Sequence, residues 1–264
     1  MIIYGSKMYG VKNVVKGYGL CEHCGVYGKH KSYDGRKWGH LYFIPLIPSG
    51  GPVRVMKECA KCNMGNHLPQ SKVSRLYRDI EAMMQPCILA ASEGAHSFTD
   101  DQGTETYTGP FLLDAVDLMY TAGYRKEIPG LIAMLDSDIS RYEHGIASGA
   151  YKEIQGDAAG ALAAYQGAMH ADPDQALPYM LQADFHGRAG RVEEQLDMLD
   201  KAIEREPDNP QLLLVKVDPL EKLKRYQDIL TVMERAEQMI PGLDRDKQYK
   251  KQKKKFEKKA AKAM

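Results

Sequence analysis

The sequence contains no apolar run approaching the ~18 residues that a membrane-spanning helix requires. Its first residues also lack a basic segment followed by a long apolar core, so we expect no secretory signal and a cytoplasmic location. Five cysteines in 264 residues are too few for the disulfide framework of a small secreted domain. Phosphate-binding glycine loops, nucleophile elbows and His-Glu-x-x-His motifs are absent from the sequence. We therefore expect no enzymatic activity.

Four of the five cysteines form two Cys-x-x-Cys pairs, Cys21 with Cys24 and Cys59 with Cys62. A pair with this spacing can turn two sulfur atoms toward one point, and two such pairs complete a tetrahedron. Zn²⁺ suits this geometry and holds thiolates at ~2.3 Å. The sequence therefore predicts one structural zinc ion bound by all four cysteines.

Three alternatives for the cysteine pairs stay open at this point: a redox pair, a disulfide or a different metal. A redox pair would call for a single Cys-x-x-Cys in a βαβ setting. The histidines near the pairs are expected to be solvated, because four sulfurs already complete the site; they are His23, His30, His40 and His67. The fifth cysteine, Cys87, lies in an apolar run beside Pro86 and is expected to be a buried, inert thiol.

The segment between the two pairs is typical of β-structure. Residues 39–48 are aromatic and β-branched, and their two prolines predict an edge strand or a strand end. Residues 49–52 have turn composition, and residues 53–57 alternate polar and apolar side chains up to Cys59. We therefore expect a hairpin to position the second pair.

Residues 1–68 resemble a zinc ribbon. They are similar, more narrowly, to a small domain that opens many uncharacterised bacterial proteins. That domain begins Met-Ile-Ile-aromatic-Gly, here residues 1–5, and carries a Phe/Trp-Ile-Pro-Leu-x-Pro segment between its cysteine pairs, here residues 43–48. The resemblance implies a zinc ion with a structural role and no catalysis.

The residues after this segment predict helices and one polar connection. Residues 71–91 are apolar at helical spacing, with Ser71 as the expected cap. Pro86 is expected to kink or divide that helix. The polar residues 97–109 predict a linker or an exposed loop.

Two further helices are expected before the clearest pattern begins. Pro110 suits the first turn of a helix, and Gly123 is expected to end it. Leu131, Met134 and Leu135 are assigned to the helix that follows.

A period of 34 residues becomes readable from about residue 141. Ala168 recurs as Ala202 and Ala236, and the three prolines at 173, 207 and 241 recur at the same interval. This is the length of a tetratricopeptide repeat, and the segment is similar to that family. The matching packing positions are Gly149, Ala161, Tyr165 and Pro173 in one unit, and Tyr179, Ala183, Leu199, Ala202 and Pro207 in the next. The resemblance implies pairs of antiparallel helices.

The repeats depart from this pattern at two places. Gln195 stands where the first unit has Ala161. The third unit has Val217 at a position for a small residue and Pro219 within its first helix. We expect that helix to break near Asp218.

Stacked helical hairpins of this family form a groove that binds a partner. By the family's geometry, the groove residues of this chain are Ile146, Ala150, Glu153, Met180, Asp184, Leu214, Asp218 and Glu221. They are acidic and apolar and lack the cations that clamp a peptide's terminal carboxylate. A basic or amphipathic peptide is the expected partner.

The C-terminal segment is basic, although the whole chain has a net charge of only +1. Residues 247–264 contain nine lysines and one acidic residue, Glu257, a net charge of +8, so the remaining residues carry −7. Its apolar residues form one helical stripe: Tyr249, Phe256, Ala260 and Ala263. The pattern predicts a closing helix that covers the last repeat; contact with nucleic acid, lipid or the acidic groove are alternatives.

The predicted fold class is a small β zinc ribbon followed by all-α helical-hairpin repeats. Its parts are a ribbon (1–68), a connecting helix and polar loop (69–109), tetratricopeptide-like repeats (110–244) and a basic C-terminal helix (245–264). The predicted function is that of a non-enzymatic, zinc-binding interaction or scaffold protein with a protein or peptide partner. The alternative is a nucleic-acid-associated protein that contacts phosphate through the tail and through the ribbon residues Lys29, Lys31, Arg36, Lys37 and Arg54.

Overall fold

The computed structural model describes residues 4–21, 23, 27–41, 44–100, 102–136 and 138–263. The chain divides into two units, Met1–Ala164 and Tyr165–Met264. Unit 1 contains an antiparallel β-sheet followed by helices, and unit 2 is helical.

The sheet of unit 1 has four antiparallel strands in the order β1-β2-β3-β4. They are β1 (Tyr4–Leu20), β2 (Tyr27–Leu41), β3 (Ile44–Cys59) and β4 (Asn66–Pro69). The first three have 17, 15 and 16 residues, about three times the usual strand length. Because β4 pairs only with residues 53–56 of β3, the proline-containing part of β3 is an edge within the described residues. The expectation of an edge strand is confirmed.

Bulges interrupt the pairing on both sides of β2. Gly10 and Val11 of β1 lie opposite the single residue Gly35. On the other side, residues 49–51 of β3 lie opposite Lys37 alone. Extra residues of this kind bend a strand and change the direction of its neighbouring side chains.

Helix α1 (Gln70–Ser92) follows β4 directly. Pro69 occupies its N-cap position with no side-chain cap, so the prediction that Ser71 caps the helix is wrong. Pro86 lies inside α1 without dividing it. The buried face includes Cys87, which is 0% exposed, and burial raises the pKa of its thiol to about 12. The expectation of an inert, buried cysteine is confirmed.

The segment predicted as a polar linker contains a hairpin. Strands β5 (Ser97–Thr99) and β6 (Glu105–Tyr107) pair antiparallel. Phe98 of β5 is buried and packs edge-to-face against Phe111, with ring centroids 5.5 Å apart. The prediction failed because one buried aromatic side chain anchors an otherwise polar segment.

Unit 1 continues with α2 (Thr108–Ala122), α3 (Ile128–Ala133) and α4 (Arg141–Gln155). Gly123 ends α2 with a φ of 101°, as predicted. Helix α3 is shorter than expected, because Met134 and Leu135 lie just beyond it. Helix α5 (Ala158–Ala171) crosses the boundary between the two units.

A buried arginine connects the sheet to α2. The Arg54 side chain is 1% exposed, and its Nε donates to the carbonyl of Thr121 at 2.9 Å. Its Nη1 donates to the carbonyl of Asn13 at 2.8 Å and lies 3.3 Å from the Asp34 carboxylate. Because a buried charge requires such partners, Arg54 is a structural residue. Its prediction as a phosphate contact is wrong.

Unit 2 confirms the 34-residue period. Its elements are α6 (Leu177–Arg188), α7 (Val192–Arg205), α8 (Pro210–Val215), α9 (Val217–Lys222), α10 (Tyr226–Met239), a short 3-10 helix (Leu243–Arg245) and α11 (Lys247–Ala263). Helices α5, α7 and α10 have 14 residues each and begin at 158, 192 and 226. The expected break in the third unit occurs at Lys216, between α8 and α9.

Small buried residues allow the helices to approach one another, as the repeat pattern predicted. Ala168, Ala202 and Ala236 are each 0% exposed. At the departure from the pattern, the side chain of Gln195 fills the space beside Gly187; a Cβ on Gly187 would lie 2.6 Å from its Nε2. The longer side chain of Gln195 on α7 is therefore accommodated by Gly187 on α6, which has no side chain.

Helix α11 packs against α10 and closes the last repeat. Phe256 is 0% exposed, and the Tyr249 hydroxyl donates to the carbonyl of Met233 at 2.7 Å. The predicted closing helix is confirmed. It also contacts acidic residues of its own unit, since Lys253 pairs with Glu237 at 2.8 Å.

Candidate functional site

Three of the predicted zinc ligands lie together at one end of the sheet. Cys21 follows the last residue of β1, Cys59 ends β3, and Cys62 lies in the turn after it. The Sγ atoms of Cys21 and Cys62 are 3.6 Å apart. Two sulfurs at ~2.3 Å from a tetrahedral zinc ion are separated by about 3.8 Å, so this distance fits shared coordination. A disulfide would need about 2.05 Å. Cys24, the fourth predicted ligand, lies outside the described residues.

The backbone N–H groups of the turn after β3 stabilise a thiolate at Cys59. The backbone N–H of Lys61 donates to the Cys59 Sγ at 3.3 Å, and Asn63 adopts a φ of 57° while its N–H closes the turn onto the Cys59 carbonyl at 2.9 Å. The N–H groups of Cys62 and Lys61, more than the neighbouring thiols, lower the pKa of Cys59 to about 7. A thiol with this pKa readily gives the thiolate that binds metal.

Sequence reasoning missed His30. It pairs directly with Cys59 in the β2–β3 register, and it is 7% exposed. One ring nitrogen of His30 and the sulfurs of Cys21 and Cys59 all lie within 4.8 Å of one another. The expectation that this histidine is solvated is wrong. Lys29 and Lys31, on either side of His30 in the sequence, point to the opposite face of the strand. This alternation of charged residues around a histidine could have indicated that His30 is buried.

The chemistry of His30 suits a metal site. Burial, with a smaller contribution from Lys57, lowers its pKa, while Asp117 acts in the opposite direction. The ring is therefore neutral near pH 7, the form that binds metal. Its Nε2 is buried with no hydrogen-bond partner among the described residues. An unpaired buried nitrogen beside two sulfurs fits the presence of a cation.

The predicted groove residues of unit 1 differ in exposure. Ile146 is 0% exposed and Ala150 is 7% exposed, so both are core residues of α4 and their prediction as contact residues is wrong. Glu153 is half-buried on the same helix.

The predicted groove residues of unit 2 are more accessible. Asp184 and Asp218 are exposed and pair with Arg188 and Lys222, one turn further along their own helices. Met180 and Leu214 are half-buried and pack against the core cluster around Tyr179, Leu212 and Leu213.

Glu221 is already engaged by the C-terminal helix. Lys255 and Lys259 of α11 lie 2.9 and 2.7 Å from its carboxylate. Their hydrogen bonds, Lys259 first, lower the pKa of Glu221. The chain thus binds a lysine-rich helix at one of the residues predicted to bind a basic partner.

Comparisons with known proteins assign no family. No family profile matches the chain, and no curated protein matches it. Among solved structures, the TPR2B domain of yeast Sti1 in its complex with pHsp70 is similar to 47% of this chain over 98% of its own length, with 18% identity and a TM-score of 0.37. A mutant of MamA is similar to 65% of this chain over 97% of its own length, with 12% identity and a TM-score of 0.39. At these TM-scores, the description of the helical repeats rests on their own periodicity and packing.

The helices were also compared with the requirements of a bilayer. Among the described residues, no helix is both long enough and apolar enough to cross a membrane.

Proposed function

We propose that this chain is a non-enzymatic, zinc-binding interaction protein that acts in the cytoplasm. A zinc ion would fix the end of the sheet, and tetratricopeptide-like helical repeats would bind a protein or peptide partner. The observation that supports the metal is the convergence of Cys21, Cys59 and Cys62, with 3.6 Å between two of the sulfurs. Zinc in such a site stabilises a fold and performs no chemistry on a substrate.

The proposed ligands are Cys21, Cys24, Cys59 and Cys62. His30 would then pack beside the sulfurs as a neutral, buried ring. Neighbours of this kind orient metal ligands, and removing one weakens metal binding by about 10–100-fold.

Metal analysis of purified variants tests the ligand set. We expect one zinc per chain in the intact protein and none in Cys59→Ser. His30→Ala should retain one zinc but release it to a chelator at about 10–100-fold lower chelator concentration. Loss of zinc from His30→Ala as complete as that from Cys59→Ser would instead make His30 a ligand and reject the four-cysteine set.

The partner is proposed to be a basic, amphipathic peptide that contacts the acidic and apolar residues of α6, α8 and α9. Asp184 and Asp218 are exposed, and the half-buried Met180 and Leu214 supply apolar surface. Opposite charges steer such a peptide to the site, and the apolar stripe gives it a place to bury its own apolar face.

A charge reversal tests this surface. A fluorescently labelled, lysine- and leucine-containing helical peptide should bind the intact chain, and Asp184→Lys combined with Asp218→Lys should weaken binding by at least about tenfold. Glu193→Lys with Glu194→Lys is the matched control, because both residues are exposed on α7. An equal loss in both double variants would mean that only net charge matters and would reject the surface.

The alternative function, association with nucleic acid, is favoured by one observation on α11. Five exposed lysines lie on one face of this helix, opposite its buried stripe: Lys247, Lys251, Lys254, Lys258 and Lys262. None forms an ion pair with a described residue. Because phosphate binding falls steeply with salt, Lys251→Gln with Lys254→Gln and Lys258→Gln should reduce the salt dependence of DNA binding. Unchanged salt dependence would reject this alternative.

A further inference from the structure

A cavity lies on the sheet, away from the cysteines and between the two bulges that flank β2. Its volume is about 590 Å³, and its lining includes Tyr9, Lys12, Arg36, Trp38 and Pro52. This volume is within the 300–1,000 Å³ of ordinary small-molecule sites.

Strand register places the lining side chains on one face of the sheet. Tyr9 lies opposite Arg36, and Arg36 lies opposite Pro52 on the other side. Trp38 is two residues from Arg36 and therefore shares its face. Tyr9 and Trp38 are therefore diagonal neighbours on this face, at strand positions about 7–8 Å apart, and both side chains line the cavity.

Two cations border the same cavity. Lys12 and Arg36 are both exposed, and neither forms an ion pair with a carboxylate of a described residue. Arg36 is held in place, since its Nε donates to the carbonyl of Gly50 at 2.8 Å and its guanidinium lies 5.9 Å from the Trp38 ring. Its remaining N–H groups can donate to a ligand.

The carboxylate at the base of the cavity does not neutralise these cations. Asp34 accepts hydrogen bonds from Asn13 at 2.5 Å and from Gln70 at 2.9 Å, and it pairs with the buried Arg54. These donors outweigh the opposing effect of burial and lower the pKa of Asp34. The charge of Asp34 is therefore compensated by these donors, and Lys12 and Arg36 keep the cavity positively charged.

We propose that this cavity binds a nucleotide. The base stacks on the aromatic side chains of Trp38 and Tyr9, and the phosphate accepts hydrogen bonds from Lys12 and Arg36. Proteins that bind nucleotides regardless of base identity generally combine aromatic side chains, on which the base stacks, with cations that bind the phosphate. The geometry of a guanidinium also matches that of a phosphate. The nucleotide is either free or part of a single-stranded nucleic acid, and neither the zinc site nor the helical groove is needed for this inference.

The tryptophan content of the chain provides a direct readout. Trp38 is the single tryptophan, so its fluorescence reports on this cavity alone. Adenosine monophosphate and a ten-residue oligothymidylate should each quench it if the site takes any nucleotide; quenching by the oligonucleotide alone identifies single-stranded nucleic acid as the source. Ribose 5-phosphate, which has no base, should bind at least about tenfold more weakly, because stacking contributes about 1–3 kcal/mol per base.

Variants distinguish binding in this cavity from binding by surface charge in general. Lys12→Gln combined with Arg36→Gln should raise the Kd by about tenfold or more, and Tyr9→Leu by about 5–150-fold from the loss of stacking. Lys37→Gln is the matched control, because Lys37 is an exposed cation that is adjacent to Arg36 and points to the opposite face of β2. It should change the Kd for adenosine monophosphate by less than twofold.

Two results would overturn the proposal. One is the absence of Trp38 quenching by both the mononucleotide and the oligonucleotide. The other is an equal loss of affinity for adenosine monophosphate in Lys37→Gln and in the combined Lys12→Gln and Arg36→Gln variant, which would assign the binding to surface charge. Circular dichroism of each variant checks that the sheet is retained.

Discussion

The β-sheet and the helical repeats of unit 2 are stabilised in different ways. Among the described side chains of residues 4–69, the buried apolar ones are Val15, Cys21, Tyr33, Val55, Met56 and Cys59. Two of these six are candidate metal ligands. The repeats instead bury alanines at the close contacts and larger residues such as Leu212, Ile229 and Phe256 between them. With so few apolar core residues among its described side chains, the sheet depends on specific polar and metal interactions, whereas the repeats depend on regular packing.

Metal removal should produce the largest difference between the two regions. Structural zinc contributes on the order of 10–16 kcal/mol in small finger peptides, so a chelator should unfold the strand ends around Cys21 and Cys59. Hydrogen–deuterium exchange measured by mass spectrometry should rise in β2 and β3 and stay unchanged in α6 and α7.

Cys87→Ala is the control for that experiment, because Cys87 is buried in α1 with 0% exposure and should not affect the zinc content. Equal exchange in β2 with and without chelator would show that the sheet folds without metal.

Shortening a buried side chain of the closing helix should have the next largest effect on stability, confined to the repeats. Phe256 is 0% exposed, and replacing a buried Phe by Ala costs about 3–5 kcal/mol. Phe256→Ala should therefore lower the melting temperature recorded by circular dichroism at 222 nm, with Trp38 fluorescence unchanged. Lys254→Ala, on the exposed face of α11, should shift stability by less than about 0.5 kcal/mol. Similar shifts for the two variants would show that α11 does not close the unit.

Loss of the buried arginine should destabilise the sheet by a somewhat smaller amount. Arg54→Met removes the partner of Asp34 and leaves the carbonyls of Thr121 and Asn13 without their donor. Breaking one side of a buried ion pair costs about 3 kcal/mol or more. Urea unfolding followed by Trp38 fluorescence should show this loss, while Lys37→Met should be near neutral. A neutral Arg54→Met would mean that apolar packing alone can connect the sheet to α2.

The smallest expected effect concerns the ion pairs between α9 and α11. The pKa of Glu221 is lowered from 4.5 by its hydrogen bonds to Lys259 and Lys255. Its contribution is therefore present above pH 4.5 and is lost as the pH falls through the lowered pKa. Glu221→Gln should cost less than about 1 kcal/mol at pH 7 and should make the melting temperature of the repeats less sensitive to pH between 5 and 3. Identical pH profiles would contradict this assignment.

Local repetition made the helical part predictable from the sequence. Alanine and proline recurring every 34 residues predicted the spacing of α5, α7 and α10, and Pro219 predicted a break near Asp218, which the structure has at Lys216. These features depend on neighbours within one or two turns.

Long-range contacts made the rest of the molecule unpredictable. The burial of His30 depends on its pairing with Cys59, and the burial of Arg54 depends on a carbonyl at Thr121. Neither partner is close in sequence. The hairpin of β5 and β6 was missed for the same reason, because Phe98 is anchored by Phe111 on the following helix. The cysteine spacing predicted four ligands, of which the three described ones converge, but it did not predict the histidine beside them.

The contact between Gly187 and Gln195 makes a side-chain rotamer the adjustable part of this hairpin. A Cβ on Gly187 would lie 2.6 Å from the Nε2 of Gln195. Because that nitrogen is the end of a flexible side chain, the Gln195 amide would turn away while both helix backbones keep their positions. A change at position 187 is therefore absorbed by the conformation of residue 195.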